Sequence, residues 1–231
     1  VAEKATAEDT KTKAFTDEMA YIGAGPEAPG MTAEASAVGI SAGDGGNAIM
    51  NDNSIRVTAR ATGDGEAHAD SNLYDTDAGV WGRVTSTATG IETGKGSSLV
   101  VNQGLLQVDA NASAATISFS DSVDDATARG AATVSARAWG IKAAGADSTD
   151  PKGATIVVNS APISVNAASA AEGKTGRADS GWFGYGLAVT YADAKSEAWG
   201  ITIGGGNRLA AVENSSGLTV KAKANSAASA P

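Results

Sequence analysis

The chain has 231 residues, 26 acidic against 17 basic side chains for a net charge of −9, one histidine and no cysteine. That balance argues against nucleic acid and anionic membrane as partners, both of which call for clustered Lys and Arg, and the missing cysteines exclude disulfides and thiolate metal sites. Aromatic residues make up 5% and glycines number 29, which is too little bulk for a core of ordinary density, whereas a narrow solenoid interior of stacked small and β-branched residues needs less.

Residues 1–34 are the most charged stretch, with Lys4, Glu8, Asp9, Lys11, Lys13, Asp17 and Glu18. Phe15, Met19 and Ile22 share one face if the segment is helical. The expectation for 1–34 is a cap over the open end of a solenoid, or an arm that docks on a neighbouring molecule.

From Ala35 to residue 231 the chain is organised by an internal repeat, the feature that dictates architecture. The unit reads apolar-x-Asn-x-x-x-(Ile/Leu)-x-Val-x-Ala and is written four times. Its copies are Ile49–Asn51 with Ile55, Val57 and Ala59; Val100–Asn102 with Leu106, Val108 and Ala110; Val157–Asn159 with Ile163, Val165 and Ala167; and Val212–Asn214 with Leu218, Val220 and Ala222. The asparagines fall 51, 57 and 55 positions apart. Each copy is preceded by a Gly-Ile pair, at Gly39-Ile40, Gly90-Ile91, Gly140-Ile141 and Gly200-Ile201. The spacing from Gly to Asn varies and is filled with loop residues, so the fixed parts read as strands and the variable parts as connections. Segments such as Ile55–Ala61 alternate apolar and polar residues, the period of a half-buried strand.

Three strands per repeat, at Gly-Ile, before Asn, and from Ile/Leu through Ala, describe an all-β chain: a right-handed parallel β-helix (β-solenoid) of about four repeats. Asn51, Asn102, Asn159 and Asn214 fall at one corner, where stacked amides form a ladder. Because the repeat is long, each turn is expected to carry a side loop or to hold two coils. Polar excursions at 62–77 and 117–125, and the long one at 169–198, read as such loops. They also keep open an alternative fold, an antiparallel β-sandwich of duplicated hairpins.

Ala138-Trp139-Gly140-Ile141, followed by Val-Val-Asn159 and Ile163-x-Val165-x-Ala167, resembles the passenger repeats of bacterial autotransporters and related secreted β-helical adhesins over roughly 35–225. The resemblance implies an extracellular or cell-surface location and a structural or adhesive role. The alternating C-terminal barrel with which such proteins are exported is not in this sequence, which is compatible with a fragment or with another export route.

The residues that bear chemistry are sparse. His68 is the single histidine, in an acidic alternating segment, and reads as an exposed strand or loop residue rather than a catalytic base. Loop aspartates read first as solvated polar loops, and because they offer hard oxygen ligands the one ion they could hold is calcium, with Asp75, Asp77, Asp121, Asp124 and Asp125 as candidates. No loop reproduces an EF-hand or a calcium-binding nonapeptide, and no other cofactor is expected. Tryptophans before Gly at 81, 139 and 199 read as packing groups in a repeated place, while Trp182, Phe183, Tyr185 and Tyr191 form a candidate contact patch. No segment approaches the roughly 18–20 apolar residues of a membrane span.

The sequence therefore leads to a non-enzymatic structural or adhesive solenoid, partnered by itself head to tail or by a cell-surface glycan or protein. The alternative is a carbohydrate-active β-helix, a polysaccharide hydrolase or lyase using paired carboxylates in the excursions.

Overall fold

The computed structural model describes residues 2–8, 12–16, 19–25, 28–29, 31–71, 76–122, 125–145, 153–180, 184–205 and 209–230; side chains are described from residue 31 onward, except at 70, 71, 76, 177 and 179. The described residues form sixteen strands and no helix. In chain order these are β1 (Ala2–Glu8), β2 (Thr12–Thr16), β3 (Met19–Gly25), β4 (Ala28–Pro29), β5 (Met31–Ala42) and β6 (Asn47–Asn51). A second coil is β7 (Ile55–Ser71), β8 (Thr76–Thr93) and β9 (Ser98–Asn102), and a third is β10 (Leu106–Ser122), β11 (Ala126–Ala143) and β12 (Ala154–Asn159). The last elements are β13 (Ile163–Ser180), β14 (Gly186–Ile203), β15 (Leu209–Asn214) and β16 (Leu218–Ser229).

Successive coils stack in parallel into three sheets. The first is built on β7, β10, β13 and β16 with β1 and β2 at its edge; the second on β8, β11 and β14 with β3, β4 and β5; the third is β6, β9, β12 and β15. The fold is a right-handed parallel β-solenoid, the hand that parallel crossovers adopt. Its register is that of the repeat: Ile55 pairs with Leu106 and Leu106 with Ile163, and Ile163 pairs with Leu218. The antiparallel sandwich is excluded, because among the described strands only the short contact of β3 with β4 is antiparallel.

The excursions are not side loops. Residues 62–71 continue β7, 117–122 continue β10, and 169–198 are covered by β13 and β14 up to the corner between them. One repeat is one coil with two long sides of 17 or 18 residues and one short side of five or six. The polar residues that suggest loops, such as Asp64 and Glu66, alternate with buried Gly63, Gly65, Ala67 and Ala69. The variable spacing does lie in connections: four residues separate β8 from β9, but ten separate β11 from β12.

Beside the third sheet the interior holds Ile55, Val57, Ile91, Val100, Leu106, Val108, Ile141, Val157, Ile163 and Val165, all essentially inaccessible. Toward the corner between the long sheets, small residues of one sheet face larger ones of the other: a Cβ on Gly63 would lie 3.0 Å from Val84 and one on Gly65 3.1 Å from Val80, and Ala67, Ala69, Ala78 and Val80 form a cluster. Between the long sheets Ser86 Oγ donates to the carbonyl of Ala59 at 2.9 Å. Small side chains packed against larger partners across the interior are how an alanine-rich chain with few aromatics still builds a buried core.

The described residues of 1–34 do not supply a helix. The spacing of Phe15, Met19 and Ile22 is overridden by strand pairing: β1 and β2 pair in parallel with β7, and β3 and β5 with β8. These strands are the first layer of the chain's own solenoid, and the boundary expected at 34/35 falls inside β5. No described helix is long and apolar enough to cross a membrane.

Candidate functional site

The repeated asparagines close each third-sheet strand, and three residues separate them from the strand that resumes the first sheet. Asn51 Nδ2 donates to Asn102 Oδ1, Asn102 Nδ2 to Asn159 Oδ1, and Asn159 Nδ2 to Asn214 Oδ1, each at 2.6 Å. The remaining amide hydrogen of Asn159 goes to the carbonyl of Ala161 at 2.8 Å, and Asn214 repeats this with Ser216 at 2.9 Å. The Asn159 amide therefore closes its own corner and reaches the next coil at once. The backbone does likewise, with Ser160 N–H on the Asn102 carbonyl and Ser215 N–H on that of Asn159, both at 2.9 Å. Asn102 and Asn159 are wholly buried, where an unpaired amide would be costly.

The Gly-Ile preludes form a second column at the opposite end of the short sheet. Ile40, Ile91, Ile141 and Ile201 stack in register. The glycines beside them are demanded by close approach, because a Cβ on Gly90 would lie 2.6 Å from the carbonyl oxygen of Gly140 and 2.7 Å from Leu106 Cδ1.

On the outer face Trp139 and Trp199 stack with ring centroids 4.6 Å apart and planes 9° from parallel. Lys142 Nζ lies 5.3 Å from the Trp139 ring and 2.8 Å from Glu92 Oε1. Lys195 Nζ at 2.9 Å and Arg137 Nε at 3.0 Å flank the carboxylate of Glu197, and the Lys195 hydrogen bond foremost holds its pKa below the ordinary value. Trp81 does not belong to this column. It pairs with Ala131, whereas Trp139 pairs with Thr89, and it is buried. A double-mutant cycle of Trp139→Ala and Trp199→Ala is expected to give a coupling of about 1 kcal/mol in denaturant unfolding; additive losses would show that the stack contributes only its buried area.

Of the calcium candidates, Asp75 and Asp124 lie outside the described residues. Asp77 stands near the start of β8, Asp121 near the end of β10, and Asp125 just before β11. Asp125 Oδ1 accepts the backbone N–H of Tyr185 at 2.8 Å, stapling one coil to the next. Asp121 lies between Asp70 and Asp179 in register, a column that reading along the chain does not suggest. Among the described residues no three acidic, histidine or cysteine side chains come together as a metal site. His68 is half-buried in β7, with its ring 6.2 Å from that of Phe119 on the next coil.

Of the contact patch, Trp182 and Phe183 lie outside the described residues. Tyr185 and Tyr191 are exposed, and β14 sets Leu187 and Val189 beside Tyr191 on the same outward positions. These two aliphatic residues were missed in the sequence because their partners in the preceding coil are Thr127 and Arg129, so no repeat marks them.

The largest feature is the end of the stack. Leu218 is 43% exposed where Ile163 below it is 1%, Val220 41% where Val165 is 0%, and Val212 52% where Val157 is 0%. These residues occupy core positions of the repeat in the last described layer. No protein-family model, curated protein or solved structure matches the chain. What fold and site define is a class, the right-handed parallel β-solenoid with asparagine and glycine ladders and an apolar strand edge at one end.

Proposed function

We propose that this chain is a non-enzymatic, extracellular β-solenoid of a bacterial surface, structural or adhesive in role, that lengthens by stacking copies end to end. The observation that carries this reading is the polarity of the asparagine ladder. Every amide donates toward the coil that follows it, so the column begins on the Oδ1 of Asn51 and finishes on the second Nδ2 hydrogen of Asn214. The two ends are complementary to each other and neither is complementary to itself, which is the geometry of a head-to-tail contact that does not close into a ring. Setting Asn214 of one copy under Asn51 of the next also lays β15 against β6, and Ile201 against Ile40, continuing both columns in register. The resemblance to autotransporter passengers supports the surface location, and the Tyr185–Tyr191 patch is the surface on which a glycan or protein ligand would be sought.

The test is electron microscopy and sedimentation of the purified chain over a concentration series, with and without calcium. Regular filaments that lengthen with concentration are expected. Val220→Asp, which places a carboxylate at a core position of the exposed edge, is expected to abolish filaments while changing the stability of the monomer by less than about 1 kcal/mol, because the site is already half open to water. Monomers at every concentration would reject the reading. Reducing ends or unsaturated products released from an acidic polysaccharide would favour the hydrolase or lyase instead.

A further inference from the structure

The outer face of the first sheet carries a charge pattern that the repeat does not explain. Its outward residues alternate with the buried columns, and Arg60, Asn111, Ala168 and Lys223 stand in one register row across β7, β10, β13 and β16. Thr58, Asp109, Asn166 and Lys221 form the row beside it, with Arg56 two residues before Thr58. Arg56, Arg60, Lys221 and Lys223 are all exposed. The ion pairs among the described residues use Arg137, Lys142, Lys174 and Lys195 instead, so these four cations are uncompensated. Asp109 is the one carboxylate among them, and it accepts from Gln107 Nε2 at 3.0 Å. In a chain of net charge −9 such a cluster acts locally, since charges in 0.1 M salt are screened beyond about 10 Å.

Between the cations the face is hollow. A groove of about 490 Å³ lies over Asn111, Ser113, Ala168 and Ala170, with Arg60 on one wall and Lys223 on the other. Three strand spacings of about 4.8 Å set these walls roughly 14 Å apart. The amides of Asn111 and Asn166 make no side-chain hydrogen bond among the described residues, unlike those of the asparagine ladder. We propose that this groove binds an acidic polysaccharide, whose carboxylates meet Arg60 and Lys223 and whose hydroxyls meet the asparagine and serine floor. The inference rests on the adhesive side of the reading above and gives it a ligand; it is independent of whether copies stack.

Charge complementarity selects a polyanion, and the guanidinium of Arg60 suits a carboxylate bidentately. Other anionic partners lack something they need on this face. An acidic peptide that adds through main-chain bonds requires a free sheet edge, whereas β10 and β13 are paired on both sides. Single-stranded nucleic acid stacks its bases on aromatic side chains, and no residue lining the groove is aromatic. A membrane surface calls for apolar anchors beside the cations, and the floor is asparagine, serine and alanine. The groove continues along the strands for about 510 Å³ between Asp64 and Glu172, which repel a polyanion there. The polysaccharide therefore crosses the coils, from Arg60 to Lys223.

The test is calorimetric binding of the whole chain to hyaluronate, alginate and polygalacturonate, with dextran as the neutral probe and dextran sulfate as the sulfated one. At least one uronate polymer is expected to bind, dextran is not, and affinity is expected to fall as salt rises. Arg60→Gln combined with Lys223→Gln is expected to weaken that binding about tenfold. Arg83→Gln combined with Lys95→Gln removes the same charge from exposed positions outside the first sheet and is expected to leave it unchanged. Equal loss in the two variants would overturn the site, and no binding of any uronate polymer would overturn the proposal. Binding as tight to dextran, dextran sulfate, single-stranded DNA or phosphatidylglycerol vesicles would overturn the ligand class. A uronate polymer that binds and is recovered shortened would keep the groove and reject the non-enzymatic reading. Binding by a chain that never forms filaments would keep the groove and reject stacking alone.

Discussion

Replacing Asn102 by alanine is expected to lower the stability of the folded chain by about 4 kcal/mol, read as a lower denaturant midpoint with an unchanged slope. The side chain is completely buried and stands in the middle of the ladder, accepting from Asn51 and donating to Asn159, both at 2.6 Å. Alanine leaves an amide hydrogen of Asn51 and the Oδ1 of Asn159 without partners in a place water does not reach, and each orphaned group costs roughly 2 kcal/mol. The same substitution at Asn214 is expected to cost about half as much, roughly 2 kcal/mol, because at the end of the described column it orphans one group, the Asn159 amide hydrogen, rather than two. Equal losses at the two positions would mean that the number of ladder bonds broken does not set the cost and that the corner position itself is what matters.

Gly90→Ala is expected to destabilise by about 3 kcal/mol through overpacking. The added methyl would meet the Gly140 carbonyl at 2.6 Å, Leu106 Cδ1 at 2.7 Å and Val108 Cγ2 at 2.9 Å. A carbonyl in a parallel ladder cannot withdraw without breaking bonds between coils, and the two side chains are fully buried in the core. Gly46→Ala is the control. It lies in an exposed turn with nothing within 4 Å of the added carbon, so a change within about 0.5 kcal/mol is expected. A Gly90→Ala protein as stable as this control would show that the coils can separate locally, contrary to the rigid stacking on which the end-to-end joint depends.

The repeat alone was sufficient for the class of fold and for the positions that stack. Asn51, Asn102, Asn159 and Asn214, the four Gly-Ile pairs and the Ile/Leu-x-Val-x-Ala strands are legible because each coil must place the same residue at the same corner. Side-chain identity there is dictated by a neighbour one repeat away, and repetition makes that demand visible along the chain. The turn between the second and third sheets was legible for the opposite reason: its length is free, so it varies.

What the sequence concealed is what depends on contrast or on the ends. Residues 62–71 resemble a polar loop because their inward positions are Gly63, Gly65, Ala67 and Ala69. Glycine and alanine suffice there because Met31, Val80 and Val84 of the facing sheet fill the space opposite Gly63 and Gly65, and the alternation of hydrophobicity on which strand recognition relies nearly vanishes. Trp81 matches Trp139 by its neighbour Gly82 but not by its register, and only pairing distinguishes the two. The spacing of Phe15, Met19 and Ile22 suits a helix, yet the exposed edges of β7 and β8 offer main-chain partners that an isolated helical turn cannot match. The column of Asp70, Asp121 and Asp179 is likewise a property of the pairing between coils. No local pattern along the chain encodes that column, because it arises only when the coils are stacked.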